Sequence, residues 1–421
     1  MKSLKILSIA ARYKLFLIAF LFINTQTLAT TPSHASVQEF WVWDLTVMPP
    51  AFRKPKFWHH SRDKLPDRQN WINIWIEENL GEHEPQNASI TELMNLLVRN
   101  TPEGSLDPSK GILPLGYDYF GPPPIPPGGD RDIHLVIAAL PPYKRKDGKT
   151  FGFDGFFNIY DQFTEAQAQS ETPTPQHSNE KNILYINALQ PLQTDYMKAV
   201  VTHELSHLLV HGNQGKESKP IDPWLNEMLG EMAMQISGFF TEIPFVLKYA
   251  SHTEWPLAVN GYGASYGALS LFGEYLLKSF DPKLIKKIPT TRGSAFERIE
   301  SVYSRSWAAL FEGYVKWLFE QNPSSSFADP TAPLPLKIRG RAETLGIAPT
   351  GILYLADTET DRQPSIMKTA KTCTSSKNVV RTVKVERSSL QATAVWIESS
   401  PPCAANLGGE GFSKEDAFVL K

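Results

Sequence analysis

Val201-Thr202-His203-Glu204-Leu205-Ser206-His207-Leu208-Leu209 is the stretch on which the reading of this 421-residue chain turns. Ala199, Val200, Val201, Leu205, Leu208 and Leu209 give it the apolar period of a buried helix. On such a helix residues four apart lie one turn above each other, so His203 and His207 present both imidazoles on one face. Paired imidazoles at that spacing suit a divalent cation, and Glu204 sits beside them without being a ligand. A carboxylate so placed can take a proton from water activated by the cation. The competing reading is two core-facing or capping histidines on an amphipathic helix.

An open catalytic zinc site takes three protein ligands plus water. A third histidine in an extended motif would need Gly at position 210 and His at 213, whereas the chain has Val210 and Asn213. His211, two turns beyond His203, is rotated from it by roughly 80° and reads as surface or outer support. A carboxylate from the next helix is the other solution. Asp222-Pro223-Trp224 gives a helix start with Asp at the cap and Pro in the first turn. Glu227 then falls within that helix, after a polar, Gly- and Pro-bearing loop long enough to reverse the chain. Glu231 lies one turn further on the same face, where it could accept the spare ring N–H of a ligand histidine. For both glutamates the alternative is a solvated acidic face near a helix N-terminus.

His203-Glu204-Leu205-Ser206-His207 followed by Trp224-Leu225-Asn226-Glu227 resembles the gluzincin, or thermolysin-like, zinc metallopeptidases, and more narrowly the hyicolysin-type bacterial secreted metallopeptidases. Ser178 to Asn187 is similar to that family's edge segment, and Gly261 to Leu276 to the helix after its zinc site. The likeness covers about Asp130 to Leu276; upstream only Phe40-Trp41-Val42-Trp43-Asp44-Leu45 is loosely similar. It implies one Zn2+ held by His203, His207 and Glu227, Glu204 as general base and Glu231 as a carboxylate orienting a ligand histidine. It also implies a Tyr or His that stabilises the oxyanion. Tyr266 is the candidate and Tyr262 the reserve, with an aromatic core role open for either.

The chain begins as an export signal does: Lys2, Lys5, Arg12 and Lys14, a short apolar run from Leu15 to Ile23, then small residues. Cleavage is expected after Ala29 or Ala35, giving a secreted or periplasmic, bacterial-type protein; the alternative is an uncleaved anchor. The run is about half the roughly 20 residues needed to cross a bilayer, and no later stretch approaches a membrane span. Charge is nearly balanced, 42 basic against 44 acidic residues, which gives no electrostatic case for nucleic acid. Cys373 and Cys403 could close one disulfide worth a few kcal/mol, or remain two thiols.

Phe40 to Thr46 and Trp71 to Glu77 alternate as half-buried strands do, with Arg53 to His60 expected as a basic loop between them. His59 and His60 read as a surface pair without ligand partners. Ile90 to Asn100 reads as a short helix. The proline-rich Phe120 to Gly129 is a linker or a rigid rim loop, because proline fixes φ and lacks a donor. Asp132 to Leu140 and Ile183 to Leu189 are strand-like, and Thr150 to Ile159 is irregular or strand. Helices are expected over 194–212, 224–237, 265–279 and 307–319. Val379 to Glu386 and Ala392 to Glu398 are strand candidates after a Pro/Ser-rich link from Pro323 to Pro335.

These elements predict an α+β fold: a two-lobed, zincin-like catalytic unit with a mixed-sheet lobe, a helical lobe and a small C-terminal β module. The boundaries fall at a signal over 1–35, an N-terminal lobe over 36–190, a helical zinc-binding region over 191–325 and the module over 326–421. The expected activity is zinc-dependent endopeptidase hydrolysis of peptide or protein substrates. An aminopeptidase with the same ligands ranks lower, because no Gly-x-Met-Glu-Asn-like stretch precedes His203 to hold a free amine. An exported binding protein on a zincin scaffold is the third reading; metal analysis of purified protein would separate it.

Overall fold

A continuous apolar run has to be buried on both faces, and the two strongest in this chain form the centre of a mixed sheet. In the computed structural model the described residues are 36–320, apart from 48–49, 68, 145–149, 172–173, 215–219, 240–242 and 261–265, followed by 336, 338–339, 350–356, 377–387, 390–400, 402 and 405–406. The signal-like residues 1–35, the 323–335 link, Tyr262, Cys373 and Cys403 lie outside them.

Val42–Asp44 (β1) and Ala51–Arg53 (β2) make a short antiparallel hairpin with Trp43 opposite Phe52. The sheet proper contains Lys56–Lys64 (β3), Trp71–Glu77 (β4), Ile133–Ala138 (β5), Gly155–Phe157 (β6) and Asn182–Asn187 (β7). These strands lie side by side in the order β3-β4-β5-β7-β6. β4, β5 and β7 are parallel, and β3 and β6 flank them antiparallel, with β6 ending the sheet. Every residue of β5 and β7 is buried.

Two expectations are corrected. The run expected as a basic loop largely joins β3, because Phe57 is buried and His59 finds an aromatic partner across the ladder, lying opposite Trp75 with ring centroids 4.8 Å apart. The stretch read as an edge segment is interior, since β7 pairs with β5 on one side and β6 on the other. The end strand is β6, from the Gly- and Phe-rich segment that composition left as irregular or strand. His59 and His60 meet only the amides of Asn73 and Asn87 and neighbouring rings.

One face of the sheet carries Phe40, Val42, Trp75, Val136, Phe156 and Tyr185. The other carries Ile74, Leu135, Leu184 and Ile186 into the larger helical core. The helices are Asn87–Val98 (α1), Ile112–Tyr119 (α2), Glu165–Gln169 (α3), Asp195–Asn213 (α4), Pro223–Ile236 (α5), Ile243–Ala250 (α6), Tyr266–Ser279 (α7), Ala295–Tyr303 (α8) and Trp307–Glu320 (α9). The helix anticipated at 90–100 starts three residues earlier, and α2, α6 and α8 were not anticipated. The proline-rich stretch forms a rim strut: Pro123 and Pro126 are buried, and Asn213 Nδ2 and Asn182 Nδ2 donate to the carbonyls of Pro122 and Pro124 at 3.2 Å each, tying the segment to α4 and β7.

Ile352–Ala356 (β8), Lys377–Arg387 (β9) and Leu390–Ser400 (β10) form an antiparallel group in the order β8-β10-β9. Their Tyr354, Val385 and Trp396 belong to the same buried cluster as Leu310, Tyr314 and Phe319 of α9. Tyr354 Oη donates to the Val315 carbonyl at 3.0 Å. Among the described residues no helix is long and apolar enough to cross a membrane.

Candidate metal centre

Helix α4 starts on Thr194, whose hydroxyl accepts from the Met197 amide, and its apolar face is buried through Leu205, Leu208 and Leu209. That burial fixes the helix's rotation, so His203 and His207 point together to one side, their rings 4.7 Å apart edge to face. Helix α5 begins at Pro223 as expected. The Asp222 carboxylate, expected as its cap, instead accepts from the Ala295 amide at 2.7 Å and ties α5 to α8.

Across the α4–α5 contact, Glu227 reaches both imidazoles. Its Oε2 is 3.2 Å from His203 Nε2 and its Oε1 is 3.9 Å from His207 Nε2. One donor atom from each of the three residues lies within 4.8 Å of the others. Glu231 is fully buried behind His203, with Oε1 3.7 Å from Nδ1, an electrostatic rather than a hydrogen-bonding separation. Tyr266, the first residue of α7, donates its hydroxyl to Glu227 Oε2 at 3.1 Å. Thus the structure brings together His203, His207, Glu227, Glu231 and Tyr266; Tyr266 holds a member of the cluster rather than standing apart from it.

Charge in this cluster is strongly shifted. Burial alone would lower the His203 pKa, but the hydrogen bond and charge of Glu227, with Glu204 and Glu231 nearby, raise it to about 10. Burial alone would raise Glu227, yet the two imidazoles hold it at about 2. His207 is pushed down to about 4 by burial. Two imidazole nitrogens and one carboxylate that converge in this way are a donor set able to hold a divalent cation. The arrangement fits a divalent cation held by His203 Nε2, His207 Nε2 and Glu227.

Glu204 faces the end strand. Its Oε2 accepts from the Phe157 amide at 3.0 Å, and burial lifts its pKa to about 7. This contact needs strand and helix to be very close. A side chain at Gly155 would put Cβ 2.7 Å from Val200 Cγ1 of α4, so only glycine fits there. The cleft has a volume of about 470 Å³ and is walled by β6, α4, α5, Phe245 and Tyr266. His211 also lines it, with its ring 5.9 Å from that of Phe157.

Sequence reasoning did not find the Phe157 amide or Gly155, because a backbone donor leaves no trace in residue type. Gly230, in contact with His203, could have been found as a small residue between Glu227 and Glu231. No protein-family model and no curated protein matches the chain.

Proposed function

We propose that the chain is an exported, zinc-dependent metalloendopeptidase with a two-lobed, thermolysin-like catalytic unit. The observation that carries this reading is the convergence of His203, His207 and Glu227 from two helices, within 4.8 Å, at the wall of a cleft. Zinc, when bound, would supply Lewis acidity that acidifies water and polarises a carbonyl.

Glu204 is the base. With Oε2 held by the Phe157 amide, Oε1 takes the proton from the attacking water and passes it to the leaving amine. A carboxylate whose pKa sits near 7 can carry out both transfers at neutral pH. Glu231 keeps the His203 ring turned towards Glu227, and Tyr266 holds Glu227 from the opposite side. An extended peptide would lie along the outer edge of β6, the end strand of the sheet.

The test is hydrolysis of an unfolded protein with and without a chelator, followed by zinc restoration and sequencing of the fragments. Internal cuts that vanish on chelation and return with zinc are expected. Undiminished cutting in the chelator would overturn the reading.

A further inference from the structure

The cleft does not stop at the helix side of the end strand: it wraps around β6 onto the opposite sheet face, where Trp43, Phe153 and Phe156 line it together with His203 and Glu204. We propose that Trp43 and Phe153, backed by the buried Phe156, form a shelf that takes an aromatic side chain of an extended peptide bound along β6. This rests on the peptide-cleft reading above and adds a side-chain preference to it.

Strand geometry sets the register. In β6, Phe156 pairs with Tyr185 of β7, while the Phe157 amide points outward to Glu204. Side chains alternate in the same segment: Gly155 abuts Val200 of α4 and Phe157 lies beside His211, whereas Phe156 joins the cluster on the other sheet face. A peptide laid against β6 alternates likewise, so the residue opposite Phe156 directs its side chain to that other face.

What it meets there is a preformed ring surface. Trp43 stacks on Phe156 at 5.2 Å and 20°, and Phe156 stacks in turn on Tyr185 at 4.5 Å and 12°. Phe153 closes one side, 6.0 Å from Trp43 and 5.9 Å from Phe156. Tyr185 is locked from behind: its hydroxyl lies 2.8 Å from the buried Asp161 carboxylate and accepts from Asn179 Nδ2 at 2.7 Å. Asp154, a carboxylate on the same cleft wall, is engaged by Tyr196 Oη at 2.7 Å and Gln190 Nε2 at 3.0 Å. A rigid, uncharged set of ring faces and edges selects a further ring, because aromatic pairs gain from offset and edge-to-face contact beyond their area.

The experiment uses a peptide series in which Phe replaces Ala at one position at a time. In the wild type one position should raise kcat/KM for Phe over Ala by on the order of tenfold. That ratio should fall towards one in Trp43→Ala and in Phe153→Ala, and be largely restored in Trp43→Phe. Calorimetric binding of the same peptides to Glu204→Gln, with and without Trp43→Ala, reads the shelf without turnover. A Phe preference that survives loss of Trp43, or none at any position, would overturn the shelf. Trp43-dependent binding without hydrolysis by the wild type would instead overturn the peptidase reading and leave the shelf standing.

Discussion

Gly230 of α5 lies directly against the imidazole of His203: a Cβ placed there would fall 2.4 Å from Cε1 and 2.6 Å from Nε2. Inside an exposed helix alanine would be preferred to glycine by about 1 kcal/mol, so this glycine is held by the neighbouring ring. Gly230→Ala should displace His203 from Glu227. Zinc affinity is expected to drop at least tenfold, and stability by about 1–3 kcal/mol through overpacking. Metal titration and thermal unfolding of the variant measure both; a gain in stability with zinc binding intact would contradict the packing argument.

Glu204→Gln removes the proton acceptor while keeping size and the hydrogen bond from the Phe157 amide. The variant should fold, bind zinc as the wild type does, and lose activity by about 10²–10⁴-fold or more. Single-turnover assays alongside metal analysis check this, and wild-type rates would remove Glu204 from the mechanism.

Tyr266→Phe deletes the hydroxyl that donates to Glu227 Oε2 and leaves the ring. Zinc content should stay near one per chain, since the three converging donors remain. The rate constant kcat should fall roughly 10- to 100-fold, with KM little changed, because the hydroxyl is spent on Glu227 of the cluster.

Asp161 offers a test far from the metal. It is wholly buried, and burial lifts its pKa from 3.8 to about 7 despite hydrogen bonds from the Asn179 amide and the Tyr185 hydroxyl. Because the folded value is raised, the protonated form favours folding. This contribution is fully present below about pH 4 and is lost as pH rises through 7, at about 1.4 kcal/mol per unit of difference between the states. Unfolding free energies of the wild type and Asp161→Asn should therefore diverge in pH slope between pH 4 and 7, the wild type falling more steeply. Parallel slopes would mean that Asp161 does not titrate in that window.

Sequence legibility followed chemistry and period. The convergence of His203, His207 and Glu227 was readable because imidazoles and a carboxylate at helical spacing leave a pattern in the sequence, and α4, α5, α7 and α9 were found within a residue or two at most ends. The β6 edge was not readable: three residues among glycines and phenylalanines have too short a pattern for their pairing to show. β3 was hidden for a different reason, since Lys, Arg and His mimic a solvated loop until their aromatic partners across the ladder are known. Glu231 was singled out by its one-turn spacing from Glu227, but its depth behind His203 emerged only from the helix crossing.

Tyr354 and Trp396 come from the last hundred residues, yet they are buried among the side chains of α9. A chain stopped after Glu320 would therefore lay open the rings of Tyr314 and Phe319 to water, and an exposed aromatic face of that kind invites aggregation. Trimming from this end should fail: the β9–β10 hairpin behaves as a keystone, so proteolytic nicking within it would unfold the protein as a whole instead of releasing an independent fragment.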